Sequence, residues 1–422
     1  MDRVTIKQIS NAFIPAREID DSEKFAGRSS YIQNAFFALN SKGNNIAIVG
    51  ARGIGKSSLS RQIINLSQGD NSLLEKLEIF YDDSLDYLSL YIACGNKVKT
   101  IDDLLIRLLT RRDCLLEWVY DIPAAKKELD KLSGGFDVKV LKAGAEHSGE
   151  LTNESVIKTH EVDVIFENII KQLNDIEIAK DGILIVIDEF DQIENPEGFA
   201  KLLKSLATNS PSVKFCVVGV AQDLQNLLKE HGSTDRLFAD SVINLPSMSD
   251  IELDEIISNA EGSIKKFITF DEGARKKMIE LANGHPYLIH LIGKQALKTA
   301  YLNNIQKIDH DYIESTLKEI AEKETDPVLE GRFKKAVASS YQREAVLRAM
   351  AQSVKSDGEV WTTDAYKIAL DYGIENASQY VGHLVTDEYG AELIKLRERY
   401  YRFKDSLFQT YIKARPWMTS DK

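Results

Sequence analysis

Eight consecutive residues, Gly50-Ala51-Arg52-Gly53-Ile54-Gly55-Lys56-Ser57, fit the spacing G-x-x-x-x-G-K-[ST] and can wrap a phosphate. Glycines let the backbone close round an anion without a Cβ in the way. The N–H groups of such a loop, together with the start of the helix that follows, make an anion site. Lys56 then neutralises the β- and γ-phosphates, the Ser57 hydroxyl holds Mg2+, and the next residue, Ser58, completes the set of binding residues. A glycine-rich turn with an exposed lysine is the plainer reading.

The second constellation is ILIVIDEFDQI, an apolar run that ends in Asp188 and Glu189. An acid at the end of a buried strand emerges at the carboxyl edge of a parallel sheet, where ligands bind. Asp188 there can hold Mg2+ through water, and Glu189 can orient or deprotonate an attacking water. Alternatively the two acids cap a loop, and Asp191 is a turn residue. A kinase places its base on the second substrate, so adjacent Asp and Glu argue against one and suit magnesium plus water. The ligands implied are ATP and Mg2+.

Both motifs need a parallel sheet behind them. IAIVG (46–50), YLSLYIAC (87–94), ILIVID (183–188) and VKFCVVGV (213–220) read as buried strands. Residues 57–67, TIDDLLIRLLTRR and EGFAKLLKSLA read as the helices between them. Continuous apolar strands alternating with helices mean a parallel sheet covered on both faces. The glycine-rich stretch 133–152 breaks the rhythm and reads as a hairpin or loop insertion. After Pro246 strands are not expected. IELDEIISNAEG, DEGARKKMIELANG and PYLIHLIGKQALKTAYL form a small helical domain, with Gly284 at a helix end. From Gly331, helices are followed by AELIKLRERYYRFK, which alternates as a hairpin does; this suggests a winged helix. The organisation is therefore core 1–246, helical lid 247–330 and winged helix 331–422.

Composition narrows the class. Of the 422 residues, 43% are hydrophobic and 28% charged, as expected of a folded core. No apolar window of about 18 residues predicts a membrane span, and MDRVTIKQISNAF lacks a signal peptide's apolar stretch. Cys94, Cys114 and Cys216 lie far apart, which fits a reducing cytosol rather than a disulfide framework or zinc site. The histidines at 160, 231, 290 and 310 have no metal-ligand spacing and read as structural. A net charge of −12 confines any nucleic-acid contact to a local patch.

Taken together, these motifs resemble the AAA+ and STAND-type P-loop ATPases, particularly the origin-recognition-like ATP-binding proteins of bacteria and archaea. The resemblance covers nearly the whole chain. Phe25-Ala26-Gly27-Arg28 matches that family's F-x-G-R box, which implies that Phe25 and Arg28 lie near the adenine. VVGVAQDL (217–224) is similar to the sensor-1 strand, with Gln222 on the polar sensor position that is more often asparagine. Arg236 matches the arginine that such proteins offer to a neighbouring subunit's γ-phosphate, implying a homo-oligomer. ANGHPYL (282–288) looks like the G-x-P element, with Pro286 against the adenine. It stands where AAA+ proteins carry a sensor-2 arginine, and no such arginine is present there. Plainer readings remain for each: Phe25 as core, Gln222 as a helix cap, Arg236 paired with Asp240, and Pro286 as an ordinary helix start.

Three functions follow from the resemblance. The first is an ATP-driven conformational switch in a regulatory or defence assembly, acting on a protein partner. The second is a DNA-associated initiator or transposition-type ATPase, binding DNA through the winged helix. There KLRERYYRFK (395–404) carries five basic residues and one acid, interleaved with aromatics. The third is a nucleotide-binding scaffold with negligible turnover. The fold serves all of these alike.

Overall fold

A computed structural model describes residues 4–95, 98–132, 162–219, 238, 241–323, 325–355 and 358–417. The stretch 133–152, Gln222 and Arg236 lie outside the described residues. The chain divides into two compact units: Ile19–Gly50 with Lys56–Leu245, and Met1–Glu18 with Ala51–Gly55 and Pro246–Lys422.

In the first unit five strands form one sheet: β1 (Ile46–Gly50), β2 (Tyr87–Ala93), β3 (Gly182–Asp188), β4 (Val213–Gly219) and β5 (Val242–Leu245). Every pairing is parallel, and the order is β2-β3-β4-β1-β5. β3 and β4 are buried at every position, which is why their sequences run apolar without alternation. Ile183, Ile185, Ile187, Phe215 and Val217 pack on one face against Leu104 and Leu108 of the helix Ile101–Thr110, Phe166 and Ile169 of Val162–Asp175, and Leu203 of Phe199–Asn209. Thr100 starts the first of these helices as a capping box with Asp103. Lys214, 3% exposed, donates through Nζ to the Ala38 carbonyl (3.0 Å), the Ser41 carbonyl and the Asn44 carbonyl (3.3 Å), closing the end of the helix Ser29–Asn40. Burial pulls its pKa down to about 8.

The second unit is mostly helical: Asp250–Ser263, Glu272–Ala282, Pro286–Leu302 and His310–Glu322 come first. Two short strands, β6 (Thr269–Phe270) and β7 (Lys307–Ile308), pair in parallel among them. This corrects the expectation that strands stop after Pro246; two residues are too few to leave a period in the sequence. The helices Pro327–Val337, Tyr341–Gln352, Thr362–Asp371, Ala377–Leu384 and Ser406–Ala414 follow, with an antiparallel sheet of β8 (Glu359–Trp361), β9 (Leu393–Arg397) and β10 (Tyr400–Phe403) in the order β8-β10-β9. The wing hairpin thus forms as its alternation implies, with a third strand beside it. Ion pairs cross this region, two buried and the others half-buried: Arg415 Nε to Glu330 at 2.7 Å and Arg348 to Glu344 at 2.9 Å, then Arg332 to Glu392 at 2.5 Å and Asp405 at 2.7 Å. Among the described residues no helix is long and apolar enough to cross a membrane.

Candidate functional site

The helix Lys56–Ser67 lies along the sheet face opposite the one just described. Ser67 Oγ meets Ser89 Oγ of β2 at 2.6 Å, and the Arg61 guanidinium sits 3.5 Å from the centroid of the Tyr91 ring. Six helical residues rise about 9 Å while two strand residues span about 7 Å, so the helix runs back against β2. Its N-terminus, with Lys56 and Ser57, therefore reaches the carboxyl edge of the sheet.

That edge is a topological switch point. The chain leaving β1 next enters the sheet at β2 on one side, whereas the chain leaving β4 enters at β5 on the other. Such adjacent, oppositely directed exits open the crevice where α/β sheets bind ligands. β4 separates β1 from β3, which sets Gly50 at the end of β1 and Asp188 at the end of β3 roughly 10 Å apart across the sheet. Gly53 and Gly55 take φ values of +72° and +101°, the left-handed backbone that the loop needs and that side chains disfavour. Lys56 Nζ donates to the Gly50 carbonyl at 3.1 Å, folded back over the end of β1.

Asp188 is 3% exposed and pairs in register with Ala93. Its Oδ2 accepts a hydrogen bond from the Tyr91 hydroxyl at 2.8 Å, and its Oδ1 accepts one from the Glu189 N–H at 2.8 Å. Glu189 is exposed and takes φ 55°, ψ 39°. A non-glycine residue in that conformation carries local strain, which concentrates at functional sites. The chain thus turns sharply after β3 and sends consecutive carboxylates to different environments: Asp188 inward and buried, Glu189 outward and exposed. Asp191 lies at the end of β4, its Oδ1 3.3 Å from where a Cβ on Gly219 would stand. Cys94 donates its N–H to the Asp188 carbonyl at 2.8 Å. Burial first, then Asp188 and Glu189, push its thiol up to about 12, so it offers no nucleophile here.

The N-terminal box is laced along the phosphate-loop helix and to Lys76 beyond it. Gln62 Nε2 donates to the Ile19 carbonyl at 3.0 Å, Asn65 to the Asp20 carbonyl at 2.8 Å, and Ile19 N–H donates to Ser58 Oγ at 3.0 Å. Ser58 Oγ thereby accepts one hydrogen bond and keeps its O–H as a donor beside its backbone N–H. Lys76 Nζ ties down the carbonyls of Ser22, Glu23 and Phe25 at 3.2, 2.9 and 2.7 Å. Phe25 and Arg28 are each 5% exposed, and Arg28 has φ 63° at the start of the helix Ser29–Asn40.

In the second unit Pro286 is the first residue of its helix; His285, 3% exposed, precedes it at the N-cap position without a side-chain cap hydrogen bond. Among the described residues nothing hydrogen-bonds His285 Nδ1. Burial pushes the His285 pKa down to about 4, with Asp405 opposing. His290 is likewise held near 4 by burial; its Nδ1 accepts from the Ile14 N–H at 3.3 Å, which makes it a structural histidine. The loop segment Ala51–Gly55 packs within this unit, where a Cβ on Gly53 would stand 2.9 Å from Leu407 Cδ2 and 3.5 Å from Tyr287 Cβ. Gly53 is therefore required both by its φ and by its neighbours.

A nucleotide and Mg2+ fit these residues. The left-handed backbone of Gly53 and Gly55 is the kind that a phosphate-wrapping loop needs. The oxygen donors, a serine hydroxyl and an oriented carboxylate, suit a hard cation that keeps most of its ligands as water and phosphate. Among the described residues no cluster of three or more His, Cys, Asp or Glu could hold a metal without a nucleotide. Sequence reasoning missed Tyr91, Arg61 and Lys76. Tyr91 is an aromatic residue inside an apolar strand, and only the β2–β3 register shows what it faces.

No protein-family model and no curated protein matches the chain. Solved structures do. A Walker-type ATPase of Pyrococcus abyssi is 15% identical, with 94% of this chain and 99% of that one covered, at a TM-score of 0.50. Cdc6p from Pyrobaculum aerophilum is 14% identical over 97% of this chain and 98% of its own, at 0.46. The Orc1 protein of Aeropyrum pernix, solved in complex with DNA, is 14% identical over 96% and 95%, also at 0.46. The first match and the sheet topology give the fold: an α/β P-loop NTPase core with a parallel five-stranded sheet, and the helices and β8–β10 sheet after Pro327 form the winged helix.

Proposed function

We propose that the chain binds ATP with Mg2+ at the carboxyl edge of its parallel sheet and hydrolyses it. The observation that carries this is the Asp188–Glu189 pair: a buried, doubly hydrogen-bonded carboxylate followed at once by an exposed one, on the face shared with the phosphate-loop helix. The loop Gly50–Ser57 and the Ser58 N–H cradle the phosphates, and Lys56 neutralises them. Ser57 and Asp188 hold the metal, which when bound supplies positive charge across the β- and γ-phosphates. Glu189 orients the attacking water and takes its proton. Phe25, Arg28 and Pro286 flank the base, Gln222 senses the γ-phosphate, and Arg236 serves the site of a neighbouring copy in an oligomer. The working division is core 1–246, lid 247–330 and winged helix 331–422, with ATP turnover driving the change of state.

Of the two biological roles, the DNA-associated one has a specific observation behind it. Lys395, Arg399, Arg402 and Lys404 are exposed on the wing, where they can reach phosphates. The test is steady-state phosphate release by the parent and Glu189→Gln, each with and without duplex DNA. The variant should bind ATP and turn it over about 10²–10⁴-fold more slowly. Turnover within twofold of the parent contradicts the role of Glu189, and rates indifferent to DNA favour a protein-directed switch.

A further inference from the structure

The Tyr91–Asp188 contact belongs to a chain of three side chains that begins on the phosphate-loop helix. Arg61 lies five residues beyond Lys56 on that helix and covers the Tyr91 ring face, 3.5 Å from its centroid. Tyr91 is in register with Val186, and Ala93 with Asp188, so Tyr91 sits on the same face as Asp188 and one diagonal step away. A tyrosine spans that step, and its hydroxyl meets Asp188 Oδ2 at 2.8 Å. A cation over the ring fixes the ring plane, and the ring plane fixes where the hydroxyl points. The Glu189 N–H holds the other oxygen at 2.8 Å. Asp188 is thus clamped at both oxygens by uncharged donors, one of which is set by the helix that starts with Lys56 and Ser57.

We propose that Tyr91, braced by Arg61, is a positioning residue that fixes the Asp188 carboxylate for Mg2+, so that it governs metal affinity at the nucleotide site without governing nucleotide affinity. This rests on the phosphate-loop reading above. The hydroxyl leaves the negative charge on Asp188 in place and removes its freedom to rotate, so the carboxylate meets the metal without reordering. Arg61 reaches Asp188 through the Tyr91 ring and touches neither metal nor phosphate in this scheme.

The test uses the full chain and the variants Tyr91→Phe, Asp188→Asn and the double variant. Tyr91→Phe keeps the ring and its packing and deletes only the hydroxyl. ADP binding is measured by calorimetry in EDTA, and Mn2+ binding to the ADP complex by electron paramagnetic resonance; thermal melting of each variant controls for folding. A hydrogen bond to an ionised group is worth about tenfold or more in an equilibrium constant. Tyr91→Phe should therefore weaken Mn2+ by about tenfold and leave ADP affinity in EDTA within twofold. In the Asp188→Asn background the same substitution should change Mn2+ affinity by less than twofold. Unchanged Mn2+ affinity in Tyr91→Phe overturns the proposal while leaving the phosphate-loop reading intact, as does an equal loss in both backgrounds. A parent that binds ADP only weakly and is indifferent to Lys56→Ala overturns the reading and the proposal together.

Discussion

At the edge of the parallel sheet Asp188, 3% exposed, is held by a tyrosine hydroxyl and a backbone N–H. In the second unit Glu330, 0% exposed, is held by the Arg415 guanidinium at 2.7 Å and by the Tyr411 hydroxyl. Both are buried carboxylates with a tyrosine, and they differ in the arginine. A guanidinium cancels the charge and makes the carboxylate part of the scaffold. Uncharged donors fix a carboxylate and leave its charge for an incoming cation. The same contrast separates the phosphate loop from the wing: Arg397, one of the basic residues that suggest a DNA contact, is bidentate to Glu359 at 3.1 and 2.7 Å and lies over Tyr400. Basic composition overstates what the wing can offer, because only the fold shows which charges are already matched.

The contrast predicts opposite effects on stability. Arg415→Ala leaves Glu330 buried without its cation and should lower unfolding free energy by about 3–5 kcal/mol in urea denaturation. The histidines of the second unit give the next effect. His285 and His290 are held near 4 against an ordinary value of 6.5, so the unfolded chain takes up their protons first. Their contribution is present above about pH 6.5 and is lost as pH falls toward 4. The melting temperature should drop over that window, and His290→Gln should flatten the drop; equal slopes for parent and variant would remove His290 from the account. Asp188→Asn, by contrast, keeps the shape: its carbonyl oxygen can still accept the Glu189 N–H, and its amide can donate to a Tyr91 hydroxyl turned to accept, so stability should change by less than about 1 kcal/mol. A collapse of that variant would place Asp188 in the scaffold beside Glu330 and break the comparison. The smallest effect concerns the wing. Arg399→Glu with Arg402→Glu should reduce the salt slope of DNA binding, read by fluorescence anisotropy, by about two. Arg397→Ala should leave that slope unchanged, because Glu359 already occupies the arginine.

What was legible in the sequence follows from the range of the interactions. β1, β3 and β4 are local apolar runs bounded by glycine or acid, and the phosphate loop is eight adjacent residues, so each announces itself. The wing hairpin shows through its alternation. Tyr91 does not, because its role depends on the pairing of Tyr91 with Val186 and on a helix crossing the same face. Glu330 and Arg415 stand 85 residues apart, and nothing in either segment points to the other. Lys76 and Lys214 look like surface lysines until the carbonyls they close are in view. β6 and β7 are too short to carry any pattern.

The central claim is that Gly50–Ser57 binds the phosphates of ATP through Lys56. Calorimetric titration of ATP and Mg2+ into the parent and Lys56→Ala tests it most directly. The parent should bind one ATP per chain, and the variant, with a melting temperature unchanged, should show no measurable heat of binding. Equal affinity in the two proteins would contradict the assignment of the loop and, with it, the account of Asp188 and Glu189 as the groups that serve the same nucleotide.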